Sequence, residues 1–522
     1  YYVADNVGVS DNNTTNYKTQ LNGRLQYETT IAQNHNIGAM FVYSEEYWHT
    51  RSTGASRNDR IHPSTSEINA ALTNVQSNSG SSASEGLRSY IGRMNYSAYD
   101  KYLLEFSFRV DGSSKFIKGH QYGFFPTVAV GWRFTEEEFL KKYLSSWLSS
   151  GKLRASWGKL GDNSGVGRFE QLETLTAMNY MSSDVVKGFV NKKMINKDLS
   201  WEVSTDINVG LDLGFLNNRL RTEIDFYNRL RTGMNRPSQM SIHLTGAYSA
   251  PRANIGDLLN RGLELNLTWK DKIGNVEYSV NLNGAYNRTV LKEWNEFLSR
   301  GWVYLDMPYH FLYVYENNGI AQTWQDIYNN TPQGLSPGDV IRKDLNGDGI
   351  IDGKDKKAYP NIQRDRPTTT YGITLQAAWK GFDISMLFNG GLGRKDFWLT
   401  DFNNTAFADR RYASTWDHWT EPWSLENRGG EWPRLGTSTD RSDNSYWLYN
   451  MNYLRMKNIM LGYNLPKKLL SKISMTNLRI YASAENLFTV TQYPGLDPEK
   501  KNSARDLYPI NRSFSIGLNV SF

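Results

Sequence analysis

The sequence predicts an all-β fold, the wall of an antiparallel transmembrane β-barrel with short periplasmic turns and long extracellular loops. Three observations predict it. Segment after segment alternates apolar and polar residues with a period of two, aromatic residues make up 13% of the chain, and tight joins between strands take turns with long polar ones. A period of two gives a strand one apolar and one polar face, and barrels spend aromatic residues in a lipid-facing band and in girdles at both interfaces.

The alternation is clearest at the end of the chain. Phe514, Ile516, Leu518, Val520 and Phe522 alternate with Ser515, Gly517, Asn519 and Ser521. Leu263, Leu265, Leu267 and Trp269 alternate with Glu264, Asn266 and Thr268, and Leu220, Thr222, Ile224 and Phe226 with Arg221, Glu223, Asp225 and Tyr227. Phe382, Ile384, Met386 and Phe388 repeat the pattern against Asp383, Ser385 and Asn389. The polar sets carry carboxylates and arginines, which suit a wet lumen. Counted this way the chain holds roughly 15 strands. Asn217-Asn218 and Lys380-Gly381 are tight joins, whereas Thr50 to Glu85 and Gly391 to Asn450 read as long loops. One helix is expected over 135–149, with Phe139, Leu140, Tyr143, Leu144 and Trp147 on one face and Thr135 with Glu138 as a capping box.

Composition bounds the function. The 522 residues have a mean hydropathy of −0.59, and no run approaches the ~18 apolar residues of a spanning helix. Strands that show lipid only every second residue average out polar, so a barrel is compatible with this value. The 32 Tyr, 22 Phe and 16 Trp would also suit a large β-sandwich or propeller enzyme. With no cysteine, disulfides, thiolate catalysis and Cys-ligated zinc are excluded. The net charge of +6 comes from 59 basic residues scattered among 53 acidic ones, a poor basis for nucleic-acid binding. The chain opens at Tyr1 without a charged and apolar leader, which leads us to expect a processed protein or an internal piece of a longer one.

The sharpest local motif lies at 344–355. Counting from Asp344, oxygen donors fall at positions 1, 3, 5, 9 and 12 (Asp344, Asn346, Asp348, Asp352, Asp355), with Gly349 at 6 and the Ile350 carbonyl at 7. Calcium needs six to eight hard oxygens about one point, and this spacing supplies them from one extracellular loop. Position 12 is Asp where EF-hands carry a bidentate Glu, as in dockerin-type variants. The alternative is a polar Asx/Gly turn without metal. If calcium binds, its role is to stiffen the loop.

Aromatic residues cluster in the long joins. Trp302, Tyr304, Tyr309, Phe311, Tyr313 and Tyr315 form one group; Tyr412, Trp416, Trp419, Trp423 and Trp432 a second; Tyr446, Trp447 and Tyr449 a third. They are either stacking platforms for a sugar or peptide, with Trp302, Tyr304, Tyr309, Tyr313, Trp416 and Trp419 as candidate contacts, or loop packing and interface. Catalytic signatures are missing from the sequence. The seven histidines show no zinc-type pairing, and no nucleophile elbow or P-loop occurs. Gly390-Gly391-Leu392-Gly393 reads as a bare glycine turn. Glu223, Asp225 and Glu264 read more simply as hydrated lumen charges than as a glycosidase pair.

Several of these segments resemble the SusC/RagA group of TonB-dependent transporters. Phe125 to Arg133 (FPTVAVGWR), then a short acidic helix and Leu153 to Gly158, is similar to that family's barrel wall. So are Leu199-Ser200-Trp201-Glu202 leading to Asn208–Asp212 and Asn217–Leu220; Tyr453–Asn458 with Leu461–Pro466; and Leu478–Tyr481, Glu485–Phe488 and Gly495–Glu499. The resemblance runs from about residue 88 to the end and becomes specific when these motifs are taken jointly. It also marks Trp419 to Leu435 as a recurrent family loop, which favours structural use. The resemblance implies an outer-membrane importer of a Gram-negative bacterium, not an enzyme. Such an importer receives an oligosaccharide or peptide from a SusD-like lipoprotein lid and is driven by TonB through an N-terminal plug. Large members close 22 strands, so this chain is expected to be a C-terminal part, 1–522, of such a barrel, with neither plug nor TonB contact in it. The alternatives are a surface scaffold anchored by a barrel, a siderophore or vitamin receptor, and a soluble glycan-active enzyme.

Overall fold

The computed structural model describes residues 8–522 apart from 59, 61, 63, 73–75, 145–146, 182–184, 192, 241–242, 244–249, 296–303, 309–310, 398–420, 435–443, 471–474 and 501–509. Fifteen strands pair antiparallel, each with its neighbour in the chain, in one sheet. They are β1 (Val9–Ile31), β2 (His35–Arg57), β3 (Gln76–Ala98), β4 (Tyr102–Ser113), β5 (Tyr122–Trp132), β6 (Leu148–Asp162), β7 (Glu202–Phe215), β8 (Leu220–Thr232), β9 (Asp257–Ile273), β10 (Val276–Glu293), β11 (Thr369–Trp379), β12 (Phe382–Leu392), β13 (Tyr453–Asn464), β14 (Asn477–Thr491) and β15 (Ser513–Ser521).

Register turns the alternation of single strands into continuous bands. Phe215, Leu220, Trp269, Val280, Leu375, Met386, Ile459, Ala484 and Phe514 are successive cross-strand partners from β7 to β15. On the opposite face Lys152, Asp212, Glu223, Asn266, Asn283, Gly372, Asn389, Arg455 and Thr489 are partners from β6 to β14. A slip of one residue in any strand would break both bands. Among the described residues much of the apolar face is open: Ile516 is 84% exposed, Phe226 50% and Leu263 48%. The polar face is concave, enclosing a space of about 820 Å³ lined by Glu28, Asn36, Asn95, Glu105, Arg154 and Asn208, among others. A sheet curled with its charges inside and its aliphatic rows outside is the inverse of a soluble sandwich.

Short joins gather at one end. Lys380 and Gly381 form a two-residue turn with φ of 45° and 91°, the primed geometry whose twist matches the flanking strands. Trp269 donates its indole N–H to the Tyr278 hydroxyl at 3.2 Å beside the β9–β10 turn, an aromatic girdle at that rim. At the other end lie the long connections 163–201, 233–256, 294–368, 393–452 and 492–512.

Three sequence expectations are corrected here. The Thr50 to Glu85 loop is largely strand, because β2 and β3 pair all the way to Arg57 and Gln76. Its Ser/Thr/Gly-rich residues meet water on both faces, so no apolar row announces the strand. The helix expected over 135–149 is a 3₁₀ turn at Phe134–Glu136 followed by α1, Glu138–Leu144. Thr135 caps nothing: its hydroxyl accepts from the Gly151 amide at 2.9 Å, while Phe134 lies where a Gly151 side chain would stand. Docking of the segment on β6 outweighs the local capping preference. Gly390 and Gly391 likewise belong to β12 and form no turn; the Tyr371 ring covers Gly390 and donates its hydroxyl to the Tyr453 carbonyl.

Candidate functional site

The long loops build a body with its own core. Leu312, Val314, Phe397, Trp447, Met451 and Tyr493 are buried together, with Trp432, Tyr446 and Tyr449 packed around them. The segment Phe311–Tyr315 pairs with Lys356–Gln363, and its period of two sends Leu312 and Val314 into this core. Phe311, Tyr313 and Tyr315 therefore take the other face. Tyr304 completes an aromatic trio there, with ring centroids 5.5 Å from Phe311 and 5.7 Å from Tyr313. Together with Arg364 and Phe397 they line a cavity of about 510 Å³, the size of a small ligand or of one or two residues of a polymer. Tyr315 is covered by the Arg342 and Lys356 cations, which leaves Tyr304, Phe311 and Tyr313 as the open rings. Burial raises the Tyr313 phenol above its ordinary pKa, so it stays a neutral hydrogen-bonding group.

The structure thus brings Tyr304 and Tyr313 together; Trp302, Tyr309, Trp416 and Trp419 lie outside the described residues. The third aromatic group is packing. Trp447 is 2% exposed and stacks on Trp432, and Trp423 is buried and donates to the Gln322 side chain at 3.0 Å. Arg364 and Phe397, which complete the cavity, were not singled out in the sequence, since no local motif ties them to Tyr304.

The 344–355 loop adjoins this cavity. Gly347 and Gly349 carry φ of 74° and 79°, backbone that side-chain-bearing residues avoid. The Asp344 carboxylate accepts from the Gly347 and Gly349 amides at 2.6 and 2.9 Å. Asp348 accepts from the Ile350 amide at 3.0 Å. Asp355 is fully buried and held below the usual carboxylate range by the amides of Asp352, Leu345 and Asn346. Among the described residues no three acidic or histidine side chains converge as they would around a metal. The oxygen types and their order suit calcium.

Inside the sheet the polar face is a charge ladder. Arg154 bridges Asp212 at 2.7 Å and Asp225 at 2.9 Å, and Glu223 accepts from the Asn266 amide at 3.3 Å. Asp212 and Asp225, neutralised by Arg154, and Glu223, held by an amide, are built into the wall as part of its hydrogen-bonded polar face.

Comparison with known proteins agrees with this architecture. The family described as TonB dependent receptor-like, beta-barrel matches residues 1–333. TonB-dependent receptor P3 of Formosa agariphila is 30% identical over 476 residues, covering 84% of this chain and 45% of that protein. TonB-dependent receptor SusC of Bacteroides thetaiotaomicron is 30% identical over 456 residues, covering 84% and 44%. The chain spans about half the length of the curated relatives it matches. Among solved structures, the RagAB peptide transporter superposes with a TM-score of 0.82 at 22% identity, over 98% of this chain and 56% of that one. Exposed apolar bands, a charged concave face, one short-turned rim and these matches agree: the chain belongs to the TonB-dependent receptor β-barrel family, is similar to SusC and RagA, and forms barrel wall in an outer membrane.

Proposed function

We propose that the protein containing this chain imports a bulky nutrient, an oligosaccharide or a peptide, across the outer membrane. In this reading it works with a surface lipoprotein of the SusD kind and draws energy from TonB through a plug held elsewhere in the full protein. One observation carries the proposal: a wide, charge-lined concave wall is joined to a loop body that has its own core and an aromatic cavity beside it. A wall this wide suits a large hydrated cargo, and a preformed loop body suits a docked lid. The likeness to the RagAB peptide transporter supports the peptide arm; open tyrosine faces support either.

The test is genetic and biochemical. Deleting the gene in its native host should abolish growth on one polymer or peptide source, and affinity purification of the full protein should bring down a lipoprotein. Unchanged uptake, with the lipoprotein still attached, would favour a surface scaffold instead.

We further propose that the 344–355 loop takes a calcium ion, using Asp344, Asn346, Asp348, Asp352 and Asp355 with the Ile350 carbonyl. The order of its oxygens and its two left-handed glycines support this. Titration of the full protein with calcium by calorimetry, against an Asp344→Asn variant, tests it.

A further inference from the structure

An unneutralised basic pair stands on the lipid-facing side of the wall. Arg261 of β9 and Arg288 of β10 are direct cross-strand partners. They share the face of Leu263 and Tyr286, two residues nearer the membrane, which are themselves partners in the apolar band. Like charges set directly opposite one another, with Cβ atoms ~5 Å apart, repel. Natural sheets place a carboxylate beside such a pair, and here none is bonded to either guanidinium. Arg261 donates only to the Asn228 side-chain oxygen at 2.7 Å. Arg288 has no hydrogen bond or ion pair among the described residues, and its Nε is buried without a partner. Lys292 and Asp306 line the same cavity and are paired with each other, which leaves the two guanidiniums without a carboxylate partner. Both arginines open onto a cavity of about 460 Å³ floored by Phe226, Leu263 and Tyr286.

The height of the pair follows from the strand. Tyr278 marks the short-turn rim, and Arg288 stands ten residues along the same face. Ten residues at ~3.3 Å each, tilted by about 40°, rise about 25 Å, the thickness of the apolar belt of an outer-membrane barrel. The guanidiniums therefore sit at headgroup level on the extracellular side, with an apolar floor running down into the acyl region.

We propose that Arg261 and Arg288 form a binding site for the phosphate of a phosphorylated outer-leaflet lipid, whose acyl chains lie along Phe226, Leu263 and Tyr286. A phosphate oxygen set between the two forks relieves their repulsion and gives the terminal nitrogens of Arg288 an acceptor. The cavity floor gives the site its preference for a lipid over a free anion. The inference rests on the membrane-wall assignment and not on what the barrel imports.

The test is native mass spectrometry of the full-length protein purified from outer membranes in mild detergent, then delipidated and offered defined probes. Lipid A bearing two phosphates should be retained. Dephosphorylated lipid A and inorganic phosphate alone should each be retained at least about tenfold less. Arg288→Gln should lower retention of the phosphorylated lipid by about tenfold, and Arg288→Lys should recover part of it. Heat-modifiable migration on gels checks that each variant is folded. Equal retention of the phosphorylated and dephosphorylated lipid by the wild-type protein overturns the proposal whether or not the variants fold. Equal binding of inorganic phosphate overturns the lipid assignment.

Discussion

The Tyr313 hydroxyl donates to the Gly353 carbonyl at 3.0 Å, tying the aromatic cavity to the loop that carries the calcium-type spacing. Any change in the shape of that loop reaches Tyr313 through one hydrogen bond. Tyr313→Phe keeps the ring and removes the tie, at a cost of about 1 kcal/mol. We predict faster amide exchange over 352–355 in this variant and a calcium affinity lowered severalfold, measured by hydrogen-exchange mass spectrometry and calorimetry. An unchanged exchange rate would show that the two features are independent.

Arg455 bonds Asp497 at 2.7 Å and Glu499 at 2.6 Å, with its side chain 4% exposed and that of Asp497 2% exposed. The ion pairs pin the β14–β15 connection against β13. Removing the cation leaves buried carboxylate behind, so Arg455→Met should loosen the connection by about 3–5 kcal/mol. Limited proteolysis between Tyr493 and Lys500 should speed up strongly in the variant while the barrel stays heat-modifiable.

Leu265 and Glu264 are neighbours on opposite faces of β9. Leu265→Arg should cost about 2–4 kcal/mol if it sits near mid-bilayer, and Glu264→Arg should cost far less, because the wet face hydrates the new charge. Urea titration of the full protein in phospholipid vesicles reads the difference. Equal costs would contradict the assignment of faces.

Asp326 caps α2 (Trp324–Tyr328), accepting from the Thr323 and Gln322 amides at 2.8 and 2.9 Å. The Thr323 amide, then its hydroxyl, holds the carboxyl below its ordinary value. A depressed pKa stabilises the cap above the unfolded value, about 3.9, and that contribution fades as pH falls through the lower folded value. Amide exchange over 323–329 should therefore accelerate, relative to the intrinsic rate, as pH drops below about 4, and Asp326→Asn should remove the pH dependence.

The barrel wall was legible because its signal is periodic and each strand repeats it: Leu263 to Trp269 and Phe514 to Phe522 announce their faces unaided. Where water bathes both faces, as over Thr50–Arg57 and Gln76–Glu85, no apolar row exists and strand passed for loop. The site was half legible. Tyr304 and Tyr313 stood out as local aromatics, yet Arg364 and Phe397 join them only through loop packing that no spacing records. The group with Trp447 was left open between platform and packing and proved to be core, since composition does not say which side of a loop faces inward. The Arg261–Arg288 pair became visible only when register set two strands side by side.

Strands β1, β2 and β3 are each 23 residues long, against 11 for β5. At ~3.3 Å per residue and a tilt near 40°, 23 residues climb close to 60 Å, about twice the hydrocarbon thickness. Their short turns share the periplasmic rim, so the excess stands above the cell surface as a three-stranded ladder in which β2 is bonded on both sides. The loop body rises from later strands of the same sheet. The extracellular edge of this sheet is therefore a stiff ladder along β1–β3 and a packed loop body further along.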